Sequence, residues 1–160
     1  MMWLVISDTH DNMHKMKEIE KIIERENITA VFHCGDFVAP FVLPYIIKEG
    51  IEFYGVFGNN DGEKLLLSER AQKRILPGPR EINLEGYKVL IMHEPYALKA
   101  AEESGLYDFV FFGHTHEIVN RRNDNGTIVV NPGEGSGWLT GRATVALIDP
   151  TDKEVNIMEI

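Results

Sequence analysis

The chain has 160 residues, 44% of them hydrophobic, enough for one domain over residues 1–160 that buries roughly two-thirds of its unfolded surface without disulfides or a partner. Its 25 acidic and 16 basic residues give a formal net charge of -9, which argues against nucleic acid, since such grooves carry clustered Lys and Arg, but leaves small phosphoesters open. The single cysteine, Cys34, excludes an internal disulfide framework and points to the cytoplasm; no apolar stretch reaches the length that spans a bilayer, so no membrane partner is expected.

Residues 1–6 are apolar, with no basic segment before them and no small-residue cleavage site after them, and read as a first buried strand rather than a signal peptide. That strand, residues 3–7, delivers Asp8 at its C-terminal end. Met13, Met16, Ile19, Ile22 and Ile23 then recur at helical spacing, predicting an amphipathic helix over 12–26 capped by Asp11 or Asn12, with Asp11 favoured over a pocket role for itself. A strand over 29–33 ends in Gly35-Asp36. Residues 40–49 suit a helix with Pro44 in its first turn, and a third apolar run, 51–57, ends at Gly58-Asn59. A helix follows over 63–74, then a break at Pro77-Gly78-Pro79. Two strands surround Glu85-Gly86, the second (88–92) delivering His93; 95–104 is a helix, and 109–112 a strand delivering Gly113-His114. Asn125-Gly126 marks a hairpin between 117–122 and 127–131, and Asp149-Pro150-Thr151-Asp152 joins final strands over 142–148 and 154–160. The β-α-β rhythm implies an α/β fold with a parallel core.

Polar residues therefore arrive repeatedly at strand ends: Asp8-Thr-His10, Gly35-Asp36, Gly58-Asn59-Asn60-Asp61, His93 and Gly113-His114-Thr115-His116. This placement follows the rule for open α/β sheets, whose sites lie at the carboxyl ends of strands. Imidazole, carboxylate and amide oxygen together suit borderline divalent ions, Mn²⁺ or Ni²⁺ first, with Fe²⁺ and Zn²⁺ also accommodated. Five ligand-bearing segments point to two ions, and two adjacent ions are standard machinery for hydrolysing phosphate esters.

In this order the motifs resemble the calcineurin-like metallophosphoesterases, whose pattern is Asp-x-His, Gly-Asp, Gly-Asn-His-(Asp/Glu), His, Gly-His-x-His. The resemblance runs from Asp8 to His116. It implies a four-layer α-β-β-α sandwich of two mixed sheets flanked by helices. It also implies one metal held by Asp8, His10, Asp36 and His116 and another by Asp36, Asn59, His93 and His114, with Asp36 bridging. A hydroxide shared by the ions would attack phosphorus in line, with Asp36 and Asn59 at the reaction centre and His114 shielding developing charge. Asn60 stands where many members carry a His that protonates the leaving oxygen, and Gly-Asn-Asn-Asp in a short chain is similar to the small YfcE-like phosphodiesterases. Asp61 then positions water or an amide, and Asn12, Asn60 and Gly133 lie against substrate phosphate. Asn131-Pro132-Gly133 resembles the family's Asn-Pro-Gly-Ser with Glu134 in place of Ser; the backbone N–H groups around Gly133, Gly135 and Gly137 either face a phosphate or form an ordinary turn.

Outside the motif, His14 reads as solvated, His33 as a core or supporting group, Cys34 as a small buried residue, and Phe37, Phe41, Phe57, Phe109, Phe111 and Phe112 as core. The expected function is hydrolysis of small phosphodiesters in a protein that can self-associate as a homo-oligomer. The alternatives are a non-catalytic interaction scaffold like the retromer subunit of this fold, or a nuclease, which would need the absent His and a basic groove.

Overall fold

A computed structural model describes residues 1–160. The first sheet has the order β11-β10-β1-β2-β3-β4. Its parallel half is β1 (Met2–Ile6), β2 (Ile28–His33), β3 (Glu52–Val56) and β4 (Ile75–Leu76), and its antiparallel edge is β10 (Thr144–Asp149) and β11 (Glu154–Glu159). The second sheet has the order β5-β6-β7-β9-β8, formed by β5 (Arg80–Leu84), β6 (Tyr87–Ile91), β7 (Phe109–Phe111), β8 (Val119–Arg122) and β9 (Ile128–Asn131). Within it β6, β7 and β9 run parallel, while β5 and β8 are antiparallel edges. Both sheets are mixed, as the family resemblance implies.

Side-chain alternation along the strands builds the layers. In β1, Trp3 and Val5 face the space between the sheets, where they meet Phe32, Phe109 and Phe111, whereas Leu4 and Ile6 face the helices on the other side. The sandwich core is closed by aromatic edges: Trp3 lies 5.3 Å from both the Phe32 and the Phe109 ring centroids. Helix α1 (Met13–Arg25) covers the outer face of the first sheet through Met16, Ile19, Ile22 and Ile23, with α2 (Leu43–Ile46) and α3 (Lys64–Arg70) beside it. Helix α4 (Leu98–Ser104) covers the second sheet, where Ala101 packs on Leu90, Met92, Val110 and Phe112. No helix is long and apolar enough to cross a membrane.

Several local expectations are corrected. Asn12, not Asp11, caps α1, its side-chain oxygen accepting from Lys15 N at 3.4 Å; Asp11 instead accepts from Ala39 N at 3.3 Å. The helix expected over 40–49 is a 3-10 turn at Pro40–Val42 followed by the single turn of α2, because Pro44 has no N–H to offer the Pro40 carbonyl. That geometry turns Val42 and Leu43 inward and leaves Phe41 71% exposed, so Phe41 is not core. The helix expected over 63–74 ends at Arg70, Gln72 and Lys73 adopt positive φ, and the chain returns as the two-residue β4 alongside Gly55 and Val56. His14 is exposed, as expected.

Candidate metal centre

The parallel register of β1, β2 and β3 brings Asp8, Asp36 and Asn59 to one edge of the first sheet, and β6 and β7 bring His93, His114 and His116 to the facing edge of the second. The loops are stitched together by their backbones: Asp8 N donates to Gly35 O at 3.0 Å, His10 N to Asp36 O at 3.1 Å, and Gly113 N to His93 O at 3.1 Å. Asp8, His10, Asp36, His114 and His116 all have positive φ, between 42° and 67°. Left-handed backbone at non-glycine residues carries strain and concentrates at functional sites. Here it turns side chains from separate loops inward to one point.

Two sets of donors meet there. Asp8 Oδ1 lies 3.8 Å from His10 Nε2 and 3.1 Å from His116 Nε2. Asp36 Oδ2 lies 3.5 Å from His10 Nε2 and 3.4 Å from His93 Nε2, so one carboxylate oxygen faces both sets. Asn59 Oδ1 lies 2.8 Å from His93 Nε2 and 3.0 Å from His114 Nδ1. Asp8 Oδ1, His10 Nε2 and His116 Nδ1 are buried polar atoms with no hydrogen-bond partner. Buried polar groups are normally satisfied. Unpartnered lone pairs in groups compact enough to share an ion, Asp8 with His10 and His116, and Asp8 with Asp36 and His93, make a donor set suited to divalent cations.

A second ring of contacts orients these donors. His93 Nδ1 donates to Cys34 O at 2.8 Å, which leaves its Nε2 lone pair aimed at the centre. Ser7 Oγ and His114 N hold Asp8 Oδ2 at 2.5 and 3.1 Å. Asn60 grips Asp36 twice, its N–H donating to Oδ1 at 2.8 Å and its amide to Oδ2 at 2.7 Å. The titration of the centre follows. Burial pushes the Asp8 carboxyl up, but His10, His116 and the Ser7 hydroxyl outweigh it and hold it well below the usual range. Burial also raises Asp36, and His93 and Asn60 outweigh it. Asp8 raises His10 and His116 against the pull of burial.

All seven expected ligands converge. Asp61, expected to position water or an amide, is 4% exposed and accepts from three backbone amides, Gly58 N (2.7 Å), Val38 N (2.7 Å) and Asp36 N (3.2 Å), which tie two ligand loops together. Asn12 spends its amide on Ser136 O at 2.7 Å and its oxygen on the cap of α1. The Gly133 N–H is taken by Asn131 Oδ1 at 2.9 Å and the Gly135 N–H by Ser7 O at 2.9 Å, so neither is free for a phosphate. Asn131 instead braces the last motif, its amide donating to Gly113 O at 3.1 Å and Thr115 Oγ1 at 3.0 Å. His33 is buried, stacks on Phe37 with centroids 3.6 Å apart, and meets Thr9 Oγ1 at 3.0 Å; burial pulls it down to about 3. Cys34 is buried with its thiol pushed up, which makes it inert.

Glu134 and Trp138 were not anticipated. The Glu134 carboxylate, 1% exposed, accepts from Ser136 Oγ, Leu139 N, Thr140 N and Thr140 Oγ1 and lies 3.7 Å from His116 Nδ1. Trp138, 62% exposed, donates its indole N–H to His10 O at 3.3 Å. An acid flanked by glycines, standing where the family pattern has Ser, is the signal the sequence offers for Glu134. Trp138 had none.

Imidazoles and carboxylates gathered at strand ends between two α/β layers define a metallophosphoesterase-type centre. Residues 1–153 match the calcineurin-like phosphoesterase superfamily domain, and the chain belongs to that superfamily. It is 36% identical to Phosphodiesterase MJ0936 of Methanocaldococcus jannaschii over 94% of this chain and 93% of that protein. A solved structure of an archaeal phosphodiesterase superposes with a TM-score of 0.90 at 34% identity, covering all of both chains. The Escherichia coli phosphoesterase YfcE (TM-score 0.67, 17% identity, 100% and 98% coverage) and Vacuolar Protein Sorting 29 of Cryptosporidium parvum (0.66, 16%, 99% and 96%) share the fold.

Proposed function

We propose that this protein hydrolyses small phosphodiesters with two divalent cations, one held by Asp8, His10, Asp36 and His116, the other by Asp36, Asn59, His93 and His114. The observation that carries this reading is the position of Asp36 Oδ2, within 3.5 Å of one imidazole from each set, as a bridging carboxylate requires. The unpartnered Asp8 Oδ1 and His10 Nε2 support it, and so does the relative named a phosphodiesterase. When bound, the ions would supply Lewis acidity that activates water and neutralises charge on the phosphate. Mn²⁺ or Ni²⁺ suits the mixed nitrogen and oxygen donors best, with Fe²⁺ and Zn²⁺ compatible.

The protein's own contribution is positioning. Asn60 fixes the bridging carboxylate, Cys34 O fixes the tautomer of His93, and Asp61 locks the two loops that carry Asp36 and Asn59. His114, exposed on the rim of the centre, would help shield charge developing on the phosphate.

The test is to strip the protein with chelator, restore Mn²⁺ or Ni²⁺, and compare bis-p-nitrophenyl phosphate with p-nitrophenyl phosphate, using Asp36→Asn as the control. Metal-dependent turnover of the diester that vanishes in Asp36→Asn is expected. Stoichiometric metal binding with no turnover would count against the reading and favour the interaction-scaffold alternative.

A further inference from the structure

A cavity of about 330 Å³ opens directly beside the metal centre, with Asn59 and His93 forming its inner wall. Its outer wall is made of Phe57, Lys64, Glu94 and Tyr96, residues that take no part in holding the donors. Tyr96 is 68% exposed, and its phenol donates to Gly78 O at 3.0 Å. Lys64 Nζ stands 5.9 Å above the Phe57 ring. Three properties of this wall bear on what it receives. One lysine and one glutamate leave it without net charge, so it does not invite a second phosphate. An exposed aromatic face offers stacking to a flat group. The volume lies at the lower end of small-ligand sites, where one ring-sized group fits.

We infer that this cavity is a subsite for an uncharged aromatic ester arm of the diester, such as an aryl or nucleobase-bearing group, and that Tyr96 determines the preference for it. The inference rests on the diesterase reading, since the arm is placed by a phosphate bound at the metal pair. A diester is monoanionic and carries two arms; with its phosphate at the Asn59 and His93 end, one arm runs outward along the neutral wall and stacks on Tyr96. Glu94 and Lys64 offer an acceptor and a donor to the edge of such a ring, which favours a nucleobase over a plain hydrocarbon. Base stacking on one aromatic side chain changes affinity by roughly tenfold.

Two readouts keep this inference and the diesterase reading apart. Turnover of methyl p-nitrophenyl phosphate by the Mn²⁺-loaded wild type tests the reading alone. The subsite is tested by equilibrium binding to the same metal-loaded protein of two non-hydrolysable monoanions whose arms are both held by P–C bonds, benzyl(methyl)phosphinate as the phenyl probe and dimethylphosphinate as the methyl probe. The wild type is expected to prefer the phenyl probe by roughly tenfold, Tyr96→Ala to abolish that preference, and Tyr96→Phe to retain it. Trp138→Ala, on the opposite flank beside His10, is the contrasting variant. A phenyl preference absent in the wild type, retained in Tyr96→Ala, or lost in Trp138→Ala in place of Tyr96→Ala, would overturn the inference whether or not either diester turns over.

Discussion

Asn60 donates to both oxygens of Asp36, through its backbone N–H to Oδ1 at 2.8 Å and through its side-chain amide to Oδ2 at 2.7 Å. The amide thus works as a clamp on the carboxylate whose Oδ2 faces both donor sets. Removing the side chain frees Asp36 Oδ2 to rotate while the backbone contact persists. Asn60→Ala is expected to weaken metal retention by about 10- to 100-fold, the usual effect of losing a supporting contact to a ligand. Competition with a chromophoric chelator measures this; retention equal to wild type would show that the clamp is dispensable.

The same residue predicts a leaving-group dependence. An amide has no titratable proton to give the departing oxygen, and a missing general acid costs about 10² to 10⁴ in rate. Diesters with nitrophenolate leaving groups should therefore be cleaved far faster than those with alkoxides. A series of methyl aryl and methyl alkyl phosphates of graded leaving-group pKa reads this directly. A flat dependence would mean that another group supplies the proton.

Metal loading should release protons. Asp8 raises His10 and His116, and although burial pulls His93 down, Asp36 outweighs it and leaves His93 raised too. A raised imidazole lends the metal-free fold stability that is fully present below the ordinary histidine pKa and fades as pH climbs through the raised value. Binding requires the neutral ring, so affinity should climb with pH across that window. Calorimetric titration of Mn²⁺ at about pH 6.5, near the unperturbed histidine value, in two buffers of different protonation heat should give different apparent enthalpies. Identical enthalpies would exclude net proton release.

The motif glycines have a steric explanation that the spacing alone did not offer. A Cβ on Gly113 would collide with Ser7 Oγ and sit 2.8 Å from Asp8 Oδ2, and one on Gly58 would collide with Asp36 Oδ1. Each glycine leaves room for a ligand from a different motif. Gly113→Ala is expected to displace Asp8 and destabilise the protein by about 1–3 kcal/mol through overpacking. Urea unfolding of the metal-free protein and chelator competition would register both effects, and a wild-type unfolding midpoint would show that Ser7 can yield without disturbance.

These cases separate what was legible from what was not. Strands that end in a ligand announce themselves, because a buried run of apolar residues followed by Asp or His has few other readings; β1, β2, β6 and β7 were all visible in this way. The two-residue β4 was not, since Ile75 and Leu76 are too short for any period and join the sheet only because Gly55 and Val56 lie alongside. The seven donors could be ordered by motif, but the work of Asp61 could not. A carboxylate near a metal motif looks catalytic, and only the folded loops reveal three backbone N–H groups waiting for it. Phe41 misled because side-chain type says nothing of which way a 3-10 turn faces.

Glu134 gives the remaining prediction. Its carboxylate is the common acceptor for Ser136 Oγ, Leu139 N, Thr140 N and Thr140 Oγ1, so it sets the course of the loop that carries Trp138 over His10 O. Glu134→Ala would leave the Leu139 and Thr140 N–H groups and the Ser136 hydroxyl without their acceptor, while the Thr140 hydroxyl keeps the Arg142 carbonyl, a loss of about 2–3 kcal/mol for buried bonds to a charged group; Glu134→Gln, which keeps one oxygen, should lose less. Fluorescence reports the loop separately from global stability, because Trp3 is fully buried whereas Trp138 is 62% exposed, leaving Trp138 as the tryptophan open to a soluble quencher. In Glu134→Ala the indole should leave His10 O, and acrylamide quenching should rise under conditions where the protein is still folded. Unchanged quenching together with a wild-type unfolding midpoint would mean that the loop holds its course without the carboxylate, and that its nearness to His116 is incidental.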